Sequence, residues 1–82
     1  MKYDIELKPK AEKDLKSMPK DDARNMYHAL LALENGLRGD IKRLTDYWPE
    51  YRLRVGNWRA LFEIRDDKIV VYRIRHRREA YR

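Results

Sequence analysis

Residues 51–82, YRLRVGNWRALFEIRDDKIVVYRIRHRREAYR, leave this chain few ways to fold. Tyr51, Leu53 and Val55 alternate with Arg52 and Arg54, which is the period of a half-buried strand. Gly56-Asn57 follows, a strong two-residue hairpin turn. In the next run Trp58, Ala60, Phe62 and Ile64 share one face, and Arg59, Leu61, Glu63 and Arg65 take the other. Asp66-Asp67 makes a second tight turn. The last run, Lys68–His76, is apolar on both faces at Ile69, Val70 and Val71, as a central strand is. Beyond that point Tyr72, Ile74 and His76 alternate with Arg73 and Arg75.

The first half supplies a cover for this sheet. Tyr3, Ile5 and Leu7 alternate with Asp4, Glu6 and Lys8, which predicts a strand over residues 3–8. Pro9 ends it and starts a short helix. Ala11, Leu15 and Met18 form that helix's narrow apolar stripe, and it stops near Ser17. The charges of Glu12, Lys13, Asp14 and Lys16 read as its solvated side. Pro19 marks a second helix, with Asp21 and Asp22 in its first turn, where the helix dipole favours negative charge. Ala23, Met26, Tyr27, Leu30, Leu33 and Leu37 form its stripe, Leu31 widens it, and Gly36 serves as C-cap. His28 lies beside the stripe with nothing adjacent to tune it. Residues 38–50 read as a linker anchored by Ile41 and Leu44, and Pro49 argues against a strand there. The expectation is a single α+β domain over residues 1–82. Its order is strand, helix, helix, strand, strand, strand, with two helices on one face of a twisted, mainly antiparallel sheet.

Charge separates the two halves. Residues 51–82 hold ten Lys/Arg against four Asp/Glu, whereas residues 1–50 hold ten of each, so the whole net charge of +6 sits in the sheet and tail. The sheet face turned from the helices should carry Arg52, Arg54, Arg59 and one of Arg73 and Arg75. Like charges opposed across a hairpin are destabilising unless an anion fills the space between them. Arginine's planar fork binds phosphate bidentately. A solubilising edge is the plainer reading, but cations spread over several strands favour phosphate binding and a polyanion partner. Lys42 and Arg43 add two exposed cations.

The ending Arg75-His76-Arg77-Arg78-Glu79-Ala80-Tyr81-Arg82 gathers a histidine, a phenol and four arginines. Cleavage of RNA without a metal needs an in-line 2′-hydroxyl, an acceptor for its proton, stabilisation of a phosphorane-like transition state and a proton for the departing 5′-oxygen. Arginines suit charge stabilisation, His76 suits proton transfer, and Tyr81 suits either a proton role or stacking on a base. The plainer alternatives are a strand-end histidine that fills space and an aromatic folded back on the core. Other chemistries lack their residues. Cysteine is absent, Ser17 is the only serine, and Gly36, Gly39 and Gly56 make no phosphate loop. His28 and His76 have no metal-ligand spacing, so no cofactor is expected. The charged N-terminus MKYDIELKPK carries no apolar signal core, and no apolar run approaches the roughly 18 residues a membrane span needs. A soluble cytoplasmic protein is the expectation.

Tyr51-Arg52-Leu53-Arg54-Val55-Gly56-Asn57-Trp58-Arg59, then Phe62-Glu63-Ile64, Val70-Val71 and the ending from His76 to Arg82, closely resemble the RelE branch of the RelE/ParE toxin superfamily. The likeness is specific over residues 40–82 and looser before them. It implies a toxin of a type II toxin–antitoxin system that enters the ribosomal A site, cleaves mRNA there without a metal and so inhibits translation. It also implies a small acidic antitoxin as partner, in a toxin–antitoxin hetero-oligomer, with no membrane involved. Carried over by position, Arg52 and Arg54 hold the RNA backbone and help activate the 2′-hydroxyl. Arg59 stabilises the scissile phosphate. Arg75, with His76 or Arg77 as alternatives, is the basic residue at the end of the last strand, and Tyr81 orients the nucleotide. The catalytic set implied is Arg54, Arg59, Arg75, His76 and Tyr81, with Arg52, Arg73, Arg77, Arg78, Lys42 and Arg43 binding RNA. Arginine at positions 52 and 54 makes a poor proton acceptor, since its pKa exceeds about 12, and Glu63 and Glu50 are the nearest carboxylates. The ParE branch shares the fold and inhibits DNA gyrase without chemistry, which is the alternative function.

Overall fold

The computed structural model describes residues 2–79. The chain runs β1 (Asp4–Leu7), α1 (Pro9–Ser17), α2 (Lys20–Ala32), a 3-10 turn (Leu33–Asn35), β2 (Asp40–Arg43), β3 (Tyr51–Val55), β4 (Trp58–Arg65) and β5 (Lys68–His76). The strands form one sheet in the order β1-β5-β4-β3-β2. Strands β2 to β5 are antiparallel to their neighbours, and β1 adds parallel to β5. The expected layers are found, and the expected element order holds with one strand added. The apolar first half of β5 is explained by its place between β1 and β4.

One expectation is corrected. The segment read as a linker contains a fifth strand, the edge strand β2, paired with β3 from Asp40↔Arg54 to Arg43↔Tyr51. Its sequence DIKR buries no residue fully, so no apolar alternation announced it. Pro49 does not oppose it, because the strand stops six residues earlier. The second helix is also shorter than its apolar stripe. It ends at Ala32, the 3-10 turn follows, and Gly36 closes that turn at φ 140°, a conformation glycine adopts without strain. Tyr27, Leu31 and Leu37, read as stripe residues, are exposed.

Both helices cover one sheet face. Ala11, Met18, Met26, Leu30 and Leu33 from the helical half pack on Leu53, Ala60, Phe62, Ile69, Val71 and Ile74. Fully burying a side chain the size of Leu53 or Phe62 contributes about 1.5–3 kcal/mol. The opposite face is not wholly polar. Leu61 and Val70 point away from the helical core, yet each is only 2% exposed.

A register shift between Leu61 and Phe62 aligns the strands on that face. Phe62 opposes Val71 while Leu61 opposes Arg73, so Tyr72 is the extra residue of a bulge. Past the bulge, β5 has outrun β1 and α1 lies along it. The Ile74 N–H donates to Asp14 Oδ2 at 2.9 Å. No described helix is long and apolar enough to cross a membrane.

Candidate nucleic-acid interface

Strand alternation sends Arg52 and Arg54 of β3, and Arg59, Leu61 and Glu63 of β4, to the face the helices leave open. The register then sets arginine against arginine. Arg54 lies directly opposite Arg59, and Arg59 directly opposite Arg75, so three neighbouring strands present one row of guanidiniums. Asp40 on β2 closes the row as the residue opposite Arg54. In the adjacent row Lys42 opposes Arg52, which opposes Leu61.

The cations are held in different ways. Asp40 takes both arginines of β3: Arg52 Nη1 donates to Oδ1 at 3.1 Å and to the Asp40 carbonyl at 3.1 Å, and Arg54 Nε pairs with Oδ2. Desolvation works to raise the Asp40 pKa, but the hydrogen bonds and charges of Arg52 and Arg54 outweigh it and hold the carboxyl below its usual range. Arg59 folds over the hairpin, donating from Nη1 to the carbonyls of Gly56 at 2.9 Å and Trp58 at 3.1 Å. Arg75 Nη1 donates to the Glu79 carbonyl at 3.2 Å.

Arg73 is placed otherwise. Its Nε and Nη2 donate to the two oxygens of Asp14 at 2.8 and 3.1 Å, a bidentate pair across the bulge. Desolvation opposes the charge on Asp14, yet Arg73, the Ile74 N–H and the nearby charge of Arg75 keep its pKa low. The Asp14 hydrogen bonds in turn raise that of Arg73.

His76 alternates onto the other face. It opposes Trp58, and their rings meet edge to face at 5.4 Å, while Trp58 Nε1 donates to Asp22 of α2 at 3.0 Å. His76 Nδ1 accepts the Arg78 N–H at 3.4 Å. His76 therefore stands at the sheet's end on the helical side, apart from the guanidinium row. Arg77 is joined to the hairpin turn through its N–H to the Asn57 carbonyl at 2.7 Å, and both Arg77 and Arg78 are exposed. Lys42 shares the face of Arg52, whereas Arg43, opposite Tyr51, belongs to the other face. Tyr81 lies outside the described residues.

Glu63 is only 9% exposed although it points away from the helices. Arg65 Nε donates to its Oε1 at 2.7 Å, and the Tyr72 hydroxyl donates to its Oε2 at 3.0 Å. Arg65 chiefly, then Tyr72 and Trp48, hold the Glu63 carboxyl below its usual value against desolvation. Burial, then Glu63, pushes the Tyr72 phenol up. A carboxylate held this way accepts a substrate proton poorly.

The sequence reading missed Asp40, Asp14, Trp48 and Tyr72. Asp40 and Lys42 at period two were a signal for β2, and Trp48, beside Tyr47 in a linker with few apolar residues, was a signal for a surface contact. Asp14 had none, because its partner is 59 residues away.

Comparison with known proteins gives a consistent set of relatives. The profile of a family described as ParE toxin of type II toxin-antitoxin system, parDE, matches residues 5–81. Toxin RelE3 of Methanocaldococcus jannaschii is 43% identical over 47 residues, which span 57% of this chain and 53% of that toxin. The putative toxin RelE1 of the same organism is 32% identical over 84 residues, covering 96% of this chain and 93% of the relative. Among solved structures, a RelB-RelE antitoxin–toxin complex from Methanococcus jannaschii superposes with a TM-score of 0.78 at 30% identity, over 93% of this chain and 94% of that one. An archaeal RelE-RelB complex from Pyrococcus horikoshii gives 0.79 over 98% and 100% of the two chains, and at 24% identity it speaks to the fold alone.

Proposed function

Because the chain belongs to the ParE-toxin family of type II toxin–antitoxin systems, and is a toxin of the RelE kind, we propose that it is a ribosome-dependent endoribonuclease that cleaves mRNA in the A site. The observation that carries this reading is the row Arg54–Arg59–Arg75, in which three arginines are opposed across three strands. Opposed like charges weaken a sheet, and a phosphate placed among them removes the repulsion. The row then acts most strongly where negative charge grows, on the phosphorane-like transition state.

In this reading Arg59, central in the row, takes the non-bridging oxygens of the scissile phosphate. Arg52 and Arg54, presented by Asp40, hold the flanking backbone. The basic role at the end of the last strand, left open by the resemblance among Arg75, His76 and Arg77, goes to Arg75, because Arg75 is the one opposed to Arg59. There it stabilises charge on the departing 5′-oxygen. Tyr81 orients the nucleotide. The guanidinium stays protonated near neutral pH and has no lone pair to take the 2′-hydroxyl proton, and Glu63 is held as a carboxylate by Arg65 and Tyr72. In this reading the 2′-hydroxyl proton passes to water, and water returns a proton to the departing 5′-oxygen. The rate enhancement therefore rests on positioning and charge stabilisation, with the ribosome holding the mRNA in line.

The solved relative at 30% identity is a toxin bound to RelB, which supports an antitoxin as partner here. Its acidic residues would meet the guanidinium row and compete with RNA for it. The protein would act in the cytoplasm, where ribosomes are. The alternative, gyrase inhibition without chemistry, draws its support from the name of the matching family.

The test is addition of the protein to a translating extract, with mRNA ends mapped by primer extension and Arg59→Ala in parallel. New ends inside A-site codons, lost in the variant, are expected. Intact mRNA in the presence of folded protein would reject cleavage, and a gyrase supercoiling assay would then decide the alternative.

A further inference from the structure

We propose that Trp48 is a stacking platform for a base of the bound single-stranded RNA, an inference that rests on the RNA-binding reading above. Trp48 is 60% exposed, the most exposed of the large hydrophobic side chains described. An isolated exposed indole in a loop is ordinary, but this one is held. Its ring packs on Tyr72 with centroids 4.6 Å apart and a tilt of 58°. Tyr72 is itself fixed by its hydroxyl on Glu63, which Arg65 also clamps. The nearly buried carboxylate that the cleavage chemistry leaves unused thus has a use, since it anchors an aromatic pair above the open sheet face.

The position fits a nucleotide. Glu63 lies on β4 four residues from Arg59, about 14 Å at the rise of an antiparallel strand. A short RNA segment with a phosphate on Arg59 spans that distance. Arg52 and Lys42 flank the way with further cations. The apolar neighbours on this face, Leu61 and Val70, are each 2% exposed, so the patch offers a single ring rather than an apolar stripe. A base needs only one ring, and the cations beside it suit the phosphates of a nucleotide rather than an apolar partner. Every base has a π-face, so the site adds affinity with little sequence selection. Because the indole is already immobilised, stacking on it costs little ordering entropy.

The experiment measures the affinity of a fluorescein-labelled single-stranded hexaribonucleotide by anisotropy at fixed salt, beside an oligomer of the same length with abasic positions. Trp48→Ala is expected to weaken binding of the first by about five- to hundredfold and to leave the second unchanged. Trp48→Phe should keep affinity within a few-fold. In the wild-type protein, bound RNA should shield Trp48 from acrylamide quenching, a readout that does not depend on how well the alanine variant folds. Equal loss for both oligomers in Trp48→Ala, or unshielded Trp48 fluorescence with RNA bound, overturns the stacking role. Unchanged RNA affinity in Trp48→Ala with loss of antitoxin capture identifies a protein contact instead and also overturns it. If Arg59→Ala abolishes binding while Trp48→Ala does not, the RNA reading stands and the platform falls. If the wild-type protein binds neither oligomer, both fall together.

Discussion

Arg73 and Arg75 are two residues apart on one strand, and the fold uses them in opposite ways. Arg73 is closed by a bidentate pair with Asp14, a carboxylate that also accepts the Ile74 N–H the bulge leaves beside α1. Arg75 sits opposite another arginine, and its nearest described acceptor is one backbone carbonyl at the start of the tail. Asp14 is close enough to feel the charge of Arg75 but spends its oxygens on Arg73. Arginine count therefore says little about function here. Arg73, its fork filled by a carboxylate, reads as scaffold, and Arg75, set against another arginine, is the one the cleavage proposal uses.

The strongest challenge to this contrast is a pair of alanine substitutions. Arg75→Ala should cut A-site cleavage by about 10²–10³-fold, the usual effect of removing one aligned donor from a developing oxyanion, with the melting temperature nearly unchanged. Arg73→Ala should do the reverse, lowering the melting temperature while the remaining folded protein still cleaves. Cleavage rates by primer extension and melting followed by circular dichroism on the same preparations would separate them. Equal loss of cleavage in both, at full stability, would break the contrast.

A smaller effect is expected at the partner of Arg73. Asp14→Ala leaves both the Ile74 N–H and the Arg73 guanidinium without their acceptor. A lost partner of this kind costs about 1–3 kcal/mol, and for a domain of this size each kcal/mol lowers the melting temperature by roughly 4–8 °C. The same carboxyl makes stability depend on pH. Its folded pKa lies below the ordinary 3.8, so on acidification the unfolded chain takes up the proton first. Its contribution is complete above the ordinary value and fades as pH falls through 3.8 to the folded value. Melting temperatures between pH 6 and pH 3 should fall less steeply in Asp14→Asn than in wild type, and parallel curves would remove Asp14 from the account.

The two classes of arginine also explain what the sequence could reveal. Strands β3 to β5 were legible because period-two alternation and two-residue turns are local signals, and they placed Arg54 and Arg59 on one face at once. The pairing of Arg59 with Arg75 was not legible, because it depends on the extra residue at Tyr72, and a bulge shifts register without changing composition. Asp14 read as one more charge on a solvated helix side, since its destination is set by the packing of α1 along β5. Edge strand β2 escaped because an exposed strand of DIKR carries almost no apolar pattern. His76 alternates with Arg75 in the sequence, and that alternation already implied opposite faces, a signal that clustering in the tail obscured.

The mildest perturbation concerns Asp40, which sits between the two classes. It pairs with Arg52 and Arg54 as Asp14 pairs with Arg73, but on an exposed edge strand where solvent screens the interaction. If Asp40 only presents these arginines, a phosphate competes with it for them, and its removal should strengthen RNA binding. Asp40→Asn keeps a side chain of the same shape and removes the charge. Oligonucleotide affinity should then rise by about two- to fivefold at low salt, with a smaller gain as added salt screens the missing charge. A fall in affinity would mean that Asp40 holds Arg52 and Arg54 in their binding geometry. It would then stand beside Asp14 as scaffold, and the boundary between structural and available arginines would run between β3 and β4.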